Sequence, residues 1–186
     1  MRVSVIGTSG SGKTTFAGRL AVALGAAHVD LDAINWQADW KDLNVHDPDE
    51  FRRRVAEAVA ADRWVSCGNY SKVRPLVLAR ATHVVWLDYP KPVVMWRVLK
   101  RSFTRAWTGD ELWPGTGNRE TFRRWLDPEH PIRWAWDTYA RRKRDYSAMF
   151  EDPALAGLEK HRVQRPWEAA ALIAELSSSP AGGGGA

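Results

Sequence analysis

With 186 residues, 45% of them hydrophobic, the chain is long enough for one α/β domain with a sizeable core and too apolar to be disordered. Its apolar stretches, such as Thr82 to Leu87, are far too short to span a bilayer and the N-terminus enters a strand pattern directly, so a cytoplasmic protein with no membrane partner is expected. A single cysteine, Cys67, excludes an internal disulfide and any cysteine-based zinc cluster, and a net charge of +5 favours anionic partners.

Arg2 to Ile6 is apolar and β-branched and reads as a short buried strand. The next eight residues, Gly7-Thr8-Ser9-Gly10-Ser11-Gly12-Lys13-Thr14, satisfy G-x-x-x-x-G-K-[ST], the phosphate-binding P-loop or Walker A motif. Beyond it, Phe16, Leu20 and Leu24 recur at helical spacing among alanines, so the loop joins a strand to a helix N-terminus. The chemistry requires that placement. Glycines let successive backbone N–H groups turn toward phosphate oxygens, and the helix N-terminus adds partial positive charge at the same point. Lys13 then reaches the β- and γ-phosphates, and the Thr14 hydroxyl ligates Mg²⁺. Gly7, Ser9, Gly10, Ser11, Gly12, Lys13, Thr14 and Thr15 are therefore the expected binding residues for ATP, with Mg²⁺ as its metal.

A second strand, about Ala27 to Leu31, ends in Asp30-Leu31-Asp32. Along an extended chain those two carboxylates face the same way only if the backbone turns between them. Pro48 to Ala61 is helical, with Asp47 as cap and Pro48 at the first position. Arg63 to Cys67 and Thr82 to Asp88 are the third and fourth strands. Pro92 to Phe103 is a helix that sets Arg97 and Arg101 on one face, four residues apart. Helical patterns follow near Arg119 to Leu126 and near Ile132 to Phe150, the latter with Arg141 and Arg144 three apart. His161 to Gln164 is a last strand, Pro166 to Leu176 a last helix, and residues 177–186 a flexible Ser/Gly tail.

Such alternation predicts an α/β fold with a central parallel sheet of five strands and helices on both faces. Ligands in such sheets bind at the carboxyl ends of the strands. Those ends carry the P-loop, Asp30-Leu31-Asp32, Cys67-Gly68-Asn69-Tyr70 and Asp88-Tyr89-Pro90. Thirteen Lys and Arg stand against seven Asp and Glu between Lys91 and Tyr146, and six of the eleven tryptophans interleave with them. Basic and aromatic residues together suit single-stranded nucleic acid, but core packing and Arg–Trp stacking need no ligand and are the expectation here. The five histidines show no metal-ligand spacing.

The P-loop context, His28-Val29-Asp30-Leu31-Asp32 followed by Asn35-Trp36 and Asp39-Trp40, Trp64 to Tyr70, Leu87-Asp88-Tyr89-Pro90 and the Trp96 to Arg101 helix carry a resemblance. Over residues 1–176 the sequence resembles the adenylate-kinase-like branch of P-loop kinases. More closely, it looks like the small ATP-binding proteins labelled DNA topology modulation proteins. The resemblance implies a three-layer α/β/α P-loop NTPase fold with an acceptor-side segment at about 33–62 and a helical lid at about 105–130. It implies that Asp30 or Asp32 orients an acceptor hydroxyl or holds metal-bound water, with Asp30 the metal candidate. It implies that Arg97, Arg101 and Arg141 clamp phosphates, that Arg119, Arg123 and Arg124 belong to the lid, and that Gln164 and Arg165 line the base pocket. Relatives usually carry Asp in the magnesium shell just before Gly-Asn-Tyr; here that residue is Cys67, a poor partner for Mg²⁺. The expected function is transfer of the γ-phosphate of ATP to a small-molecule acceptor, a nucleoside or nucleotide among the candidates. The alternatives are a nucleotide-dependent nucleic-acid-binding ATPase and a non-catalytic NTP-binding module.

Overall fold

The computed structural model describes residues 1–126 and 130–178. Five strands, β1 (Arg2–Gly7), β2 (Ala27–Asp30), β3 (Trp64–Cys67), β4 (His83–Leu87) and β5 (Glu159–Val163), form one sheet in the order β2-β3-β1-β4-β5. Every neighbouring pair is parallel. The helices are α1 (Lys13–Leu24), α2 (Leu31–Asn35), α3 (Leu43–His46), α4 (Pro48–Ala58), α5 (Arg74–Arg80), α6 (Lys91–Thr108), α7 (Pro131–Glu151) and α8 (Glu168–Ser178).

Strand alternation sorts the core into two layers. Val3, Val5, Val65, Val85, Leu87 and Val163 face α1 and α8, where Phe16, Leu20, Leu172 and Leu176 close over them. On the other face, Trp64 and Val29 pack with Phe51 and Val55 of α4 and Val77 of α5, while Ile6, Val84 and Trp86 pack with Tyr146 of α7. The three-layer α/β/α arrangement predicted from alternation is thus present, with all five strands where the sequence places them to within two or three residues.

Three differences have physical causes. The second strand stops at Asp30, whose side chain accepts the Asp32 N–H at 3.0 Å and caps α2, so the chain turns between the two acids. Helix α5 has no counterpart in the sequence reading, because seven residues opening on Arg-Pro give too short a period to see. Arg119 to Leu126 forms a bridge from Glu111 to Arg119 and a 3₁₀ turn rather than an α-helix. At the C-terminus α8 continues through Ser178, into the expected tail, and residues 179–186 lie outside the described residues.

The two arms beyond the sheet touch each other. Asn118 accepts the Trp40 N–H at 3.0 Å and donates to the Gln37 carbonyl at 2.8 Å. Trp113 stacks on Trp36, centroids 6.1 Å apart at 19°, and meets Trp40 edge-on. Residues of the expected lid and of the acceptor-side segment therefore share one indole cluster over the carboxyl end of the sheet. No helix among the described residues is long and apolar enough to cross a membrane.

Candidate active site

The P-loop lies between β1 and α1, and its backbone is tightly held. Gly10 has φ 84°, and a Cβ there would stand 2.8 Å from the Val94 carbonyl oxygen of α6, so only glycine lets the loop pack on that helix. Arg97 reaches across from α6, donating from Nη1 to the Ser11 carbonyl at 3.1 Å while its guanidinium lies over the Tyr89 ring at 4.8 Å. Asn69 donates to the Gly7 carbonyl at 2.7 Å and is itself oriented by the Tyr146 hydroxyl, 2.8 Å from its Oδ1. Three elements thus brace the loop from outside, while within it the Ser11 N–H donates to the Thr8 carbonyl at 3.2 Å.

Lys13 Nζ rests on the Thr8 carbonyl at 3.0 Å. Burial pushes its ammonium below the usual lysine range, and the Asp32 carboxylate pulls it back up. Arg101 and Arg142 act on Lys13 from α6 and α7. Arg101 is partly buried with its Nε lacking any hydrogen-bond partner, and burial and Arg105 lower its pKa. Lys13, Arg101 and Arg142 are three cations near two carboxylates, Asp32 and the Glu120 that also acts on Arg101, so the cluster keeps a positive excess that a polyphosphate suits. The exposed Thr14 hydroxyl heads α1 beside this cluster. These residues fit a nucleoside triphosphate with its magnesium ion.

The two acids separate once the turn at Leu31 is seen. Asp32 accepts the Tyr70 hydroxyl at 2.7 Å and faces Lys13. Asp30 lies toward Cys67, whose Sγ is 3.8 Å from Thr14 Oγ1 and 3.6 Å from His28 Nε2. Burial first, then the neighbouring Asp32 carboxylate, raises the Asp30 carboxyl above its ordinary range. A raised native pKa means that ionising Asp30 costs stability, and the loss develops as pH climbs from the unfolded value through the native one. Asn caps a helix as well as Asp does. Asp30→Asn is therefore expected to melt higher than wild type at pH 7 in nucleotide-free buffer, with the gain fading toward about pH 4, where the unfolded carboxyl protonates. Thermal melts across that range check it; equal melting temperatures at pH 7 would remove the strain assigned to Asp30.

Cys67 is buried at the end of β3, and burial followed by the Asp30 charge pushes its thiol up to about 12. The sulfur is neutral at pH 7 and leaves the place beside Thr14 without a carboxylate. Cys67→Asp is expected to lower the Mg²⁺ concentration for half-maximal turnover about tenfold, the scale of an outer-sphere metal partner. It should also lower the melting temperature of the Mg-free protein, since three carboxylates would then crowd together. A magnesium titration of the rate that superimposes on wild type would contradict this.

Asp88, at the end of β4, is tied off: Arg162 holds its Oδ2 at 2.6 Å and Lys143 approaches Oδ1 at 3.5 Å. On α7 it is Arg142, donating to the Asn69 carbonyl at 3.3 Å, that meets the P-loop side, whereas Arg141 is exposed. Helical spacing alone did not separate the two neighbours. Gln164 and Arg165 begin the loop after β5, both exposed, with their N–H groups on the Glu168 carboxylate. Arg119 donates to the Gly109 carbonyl, Arg123 is exposed, and the Arg124 side chain lies outside the described residues. Several tryptophans expected to pack internally are instead exposed, among them Trp96 at 69% and Trp107 at 75%. Sequence reasoning also missed the Asn69–Tyr146 brace and the Tyr70–Asp32 bond; the Gly-Asn-Tyr segment at a strand end was the signal available.

A braced P-loop on β1, a five-stranded parallel sheet and helices on both faces define the fold of the small P-loop kinases. No protein-family model and no curated protein matches the chain. Solved structures do. Shikimate kinase from Acinetobacter baumannii in complex with shikimate is similar at 17% identity and TM-score 0.55, covering 94% of this chain and 89% of that one. A sugar kinase from Janibacter sp. HTCC2649 is similar at 19% identity and TM-score 0.54, with 96% and 95% covered. A gluconokinase from Sinorhizobium meliloti 1021 is similar at 19% identity and TM-score 0.51, with 94% and 92% covered. At these identities the likeness establishes the fold.

Proposed function

We propose that the protein is an ATP-dependent kinase that transfers the γ-phosphoryl group to a hydroxyl of a small molecule. The observation that carries this reading is the Asp32 carboxylate, bonded to Tyr70 and facing Lys13 across the mouth of the P-loop. The P-loop amides and Lys13 hold the phosphates, while Arg101 has an unpaired donor for them. Magnesium would be held by Thr14 with Asp30 near it and, when bound, would supply charge neutralisation of the phosphates. Asp32 accepts the hydrogen bond of the acceptor hydroxyl and takes its proton as the new P–O bond forms and the bond to ADP breaks. The acceptor lies under the Trp36, Trp40 and Trp113 cluster. The solved structures of similar fold are a shikimate kinase, a sugar kinase and a gluconokinase, which supports a small polyhydroxy acceptor. The closer likeness to DNA topology modulation proteins rests on the sequence motifs. The test is radiolabelled γ-phosphate transfer against nucleosides, nucleoside monophosphates, sugars and hydroxy acids. No transfer to any of them by protein that binds Mg-ATP would favour the non-catalytic alternative.

A second reading is favoured by one observation, the exposed Trp96, Trp107 and Trp136 in the basic half. It makes that surface a contact for single-stranded nucleic acid. Binding there must weaken steeply with salt; no binding to oligonucleotides at low salt ends this reading.

A further inference from the structure

At the opposite end of the sheet, three side chains converge that the proposed reaction does not use. His83 opens β4 and pairs with Glu159, which opens β5, while His161 pairs with Val85 two residues on. The pleat sends all three to one face. Glu159 Oε2 stands 3.1 Å from His83 Nε2, and Oε1 stands 3.1 Å from His161 Nε2. The imidazole planes are 3° apart with centroids 5.9 Å apart. One ligand atom from each residue lies within 4.8 Å of the other two.

The surrounding hydrogen bonds fix the tautomer of His83. Thr82 Oγ1 donates its one hydrogen to the Arg2 carbonyl at 3.0 Å and accepts the Arg2 N–H at 2.9 Å. Toward His83 Nδ1, 2.8 Å away, it can only accept. Nδ1 therefore carries a hydrogen, and Nε2 of the neutral ring presents its lone pair to the carboxylate. His161 Nε2 is buried, and its 3.1 Å approach to Glu159 Oε1 is a charge contact without hydrogen-bond geometry. The His83 lone pair, the buried His161 Nε2 and a carboxylate crowd one small volume, an arrangement that a cation relieves.

We propose that His83, Glu159 and His161 form a binding site for a divalent transition metal of the zinc class. Imidazole and carboxylate suit zinc, with bonds near 2.0–2.2 Å that set tetrahedral ligand atoms about 3.4 Å apart; the two nitrogen–oxygen contacts of 3.1 Å approach that spacing, and the whole set lies within 4.8 Å. Thr82 is the outer partner that orients His83. The Glu159 side chain is 59% exposed, so the ion enters from that side and keeps a water in its fourth position. Held there, it clips the edge strand β5 to β4, far from the P-loop. The sequence concealed the set because its histidines are 78 residues apart and only the β4–β5 register joins them.

The test uses the untagged full chain, free of nucleotide and Mg²⁺, at pH 7.5, with Zn²⁺ competed against a chromophoric chelator and Co²⁺ followed by visible absorption. The expected result is one tight equivalent and a cobalt spectrum of low coordination number. His161→Ala should weaken zinc more than about 100-fold and Glu159→Gln at least about tenfold, beyond or at the scale of outer-sphere losses. Glu159 is exposed, so its variant keeps the fold, and its Mg-ATP affinity should equal that of wild type. Cys67→Ser is the control, because the Cys67–His28 pair is the other soft-donor contact. The proposal is overturned if zinc does not bind stoichiometrically, if both His161→Ala and Glu159→Gln bind as wild type does, or if Cys67→Ser abolishes binding. Failure at the P-loop leaves this site untouched.

Discussion

Lys13→Met is expected to reduce phosphoryl transfer by about a thousandfold or more, the scale at which removing a transition-state cation or donor acts in dry sites. Mg-ATP affinity should fall as well, because the same ammonium meets the ground-state phosphates. The structure separates this from simple unfolding. Lys13 is held below the usual lysine range by burial, and its Nζ satisfies only the Thr8 carbonyl at 3.0 Å. Methionine fills a similar volume without a charge to desolvate, so the variant should melt no lower than wild type. Single-turnover rates with labelled ATP, calorimetry with Mg-ATP and a thermal melt on the same preparation decide it. Turnover within tenfold of wild type, in folded protein, would remove Lys13 from the reaction.

Asp32→Asn should act on the chemical step alone. Proton acceptance and orientation by a positioned carboxylate are together worth about 10²–10⁴ in rate. Asparagine keeps the shape and still accepts the Tyr70 hydroxyl, now 2.7 Å from Asp32 Oδ1. The expected outcome is a kcat lower by that factor with Mg-ATP affinity within about threefold of wild type. Tyr70→Phe, which loosens Asp32 without removing it, should cost about 1–3 kcal/mol of transition-state stabilisation, the range for unpairing one partner of a charged hydrogen bond. Equal rates for wild type and Asp32→Asn with a good acceptor would reassign the base.

Much of this site was legible in the chain because its parts are local. The P-loop is eight consecutive residues, and each strand end is a short polar group after an apolar run. The carboxyl-end rule then places those groups together without coordinates. What was hidden depends on turns and register. Whether Asp30 and Asp32 diverge depends on α2, five residues long, starting at Leu31. Choosing Arg142 over Arg141 needs the rotational setting of a 21-residue helix against the sheet, which a smooth apolar period does not fix to one residue. The His83–Glu159–His161 cluster needs the pairing of two strands separated by the entire lid and α7. The tryptophans misled because aromatic residues usually signal core, whereas the surface of α6 carries Trp96 and Trp107 in the open.

The contact of Trp36, Trp40 and Trp113 has a spectroscopic consequence. Indoles with centroids 5.9 to 6.2 Å apart are close enough for their transitions to couple, so this trio should give an exciton couplet in circular dichroism that the chain's more isolated tryptophans do not. Trp113 comes from one arm and Trp36 and Trp40 from the other. Separating the arms to admit an acceptor would remove the Trp113 couplings and leave only the Trp36–Trp40 pair, shrinking the couplet, and closing them over it would restore the full signal. The protein thus carries a label-free optical gauge of its own opening, readable in a stopped-flow cuvette while turnover proceeds.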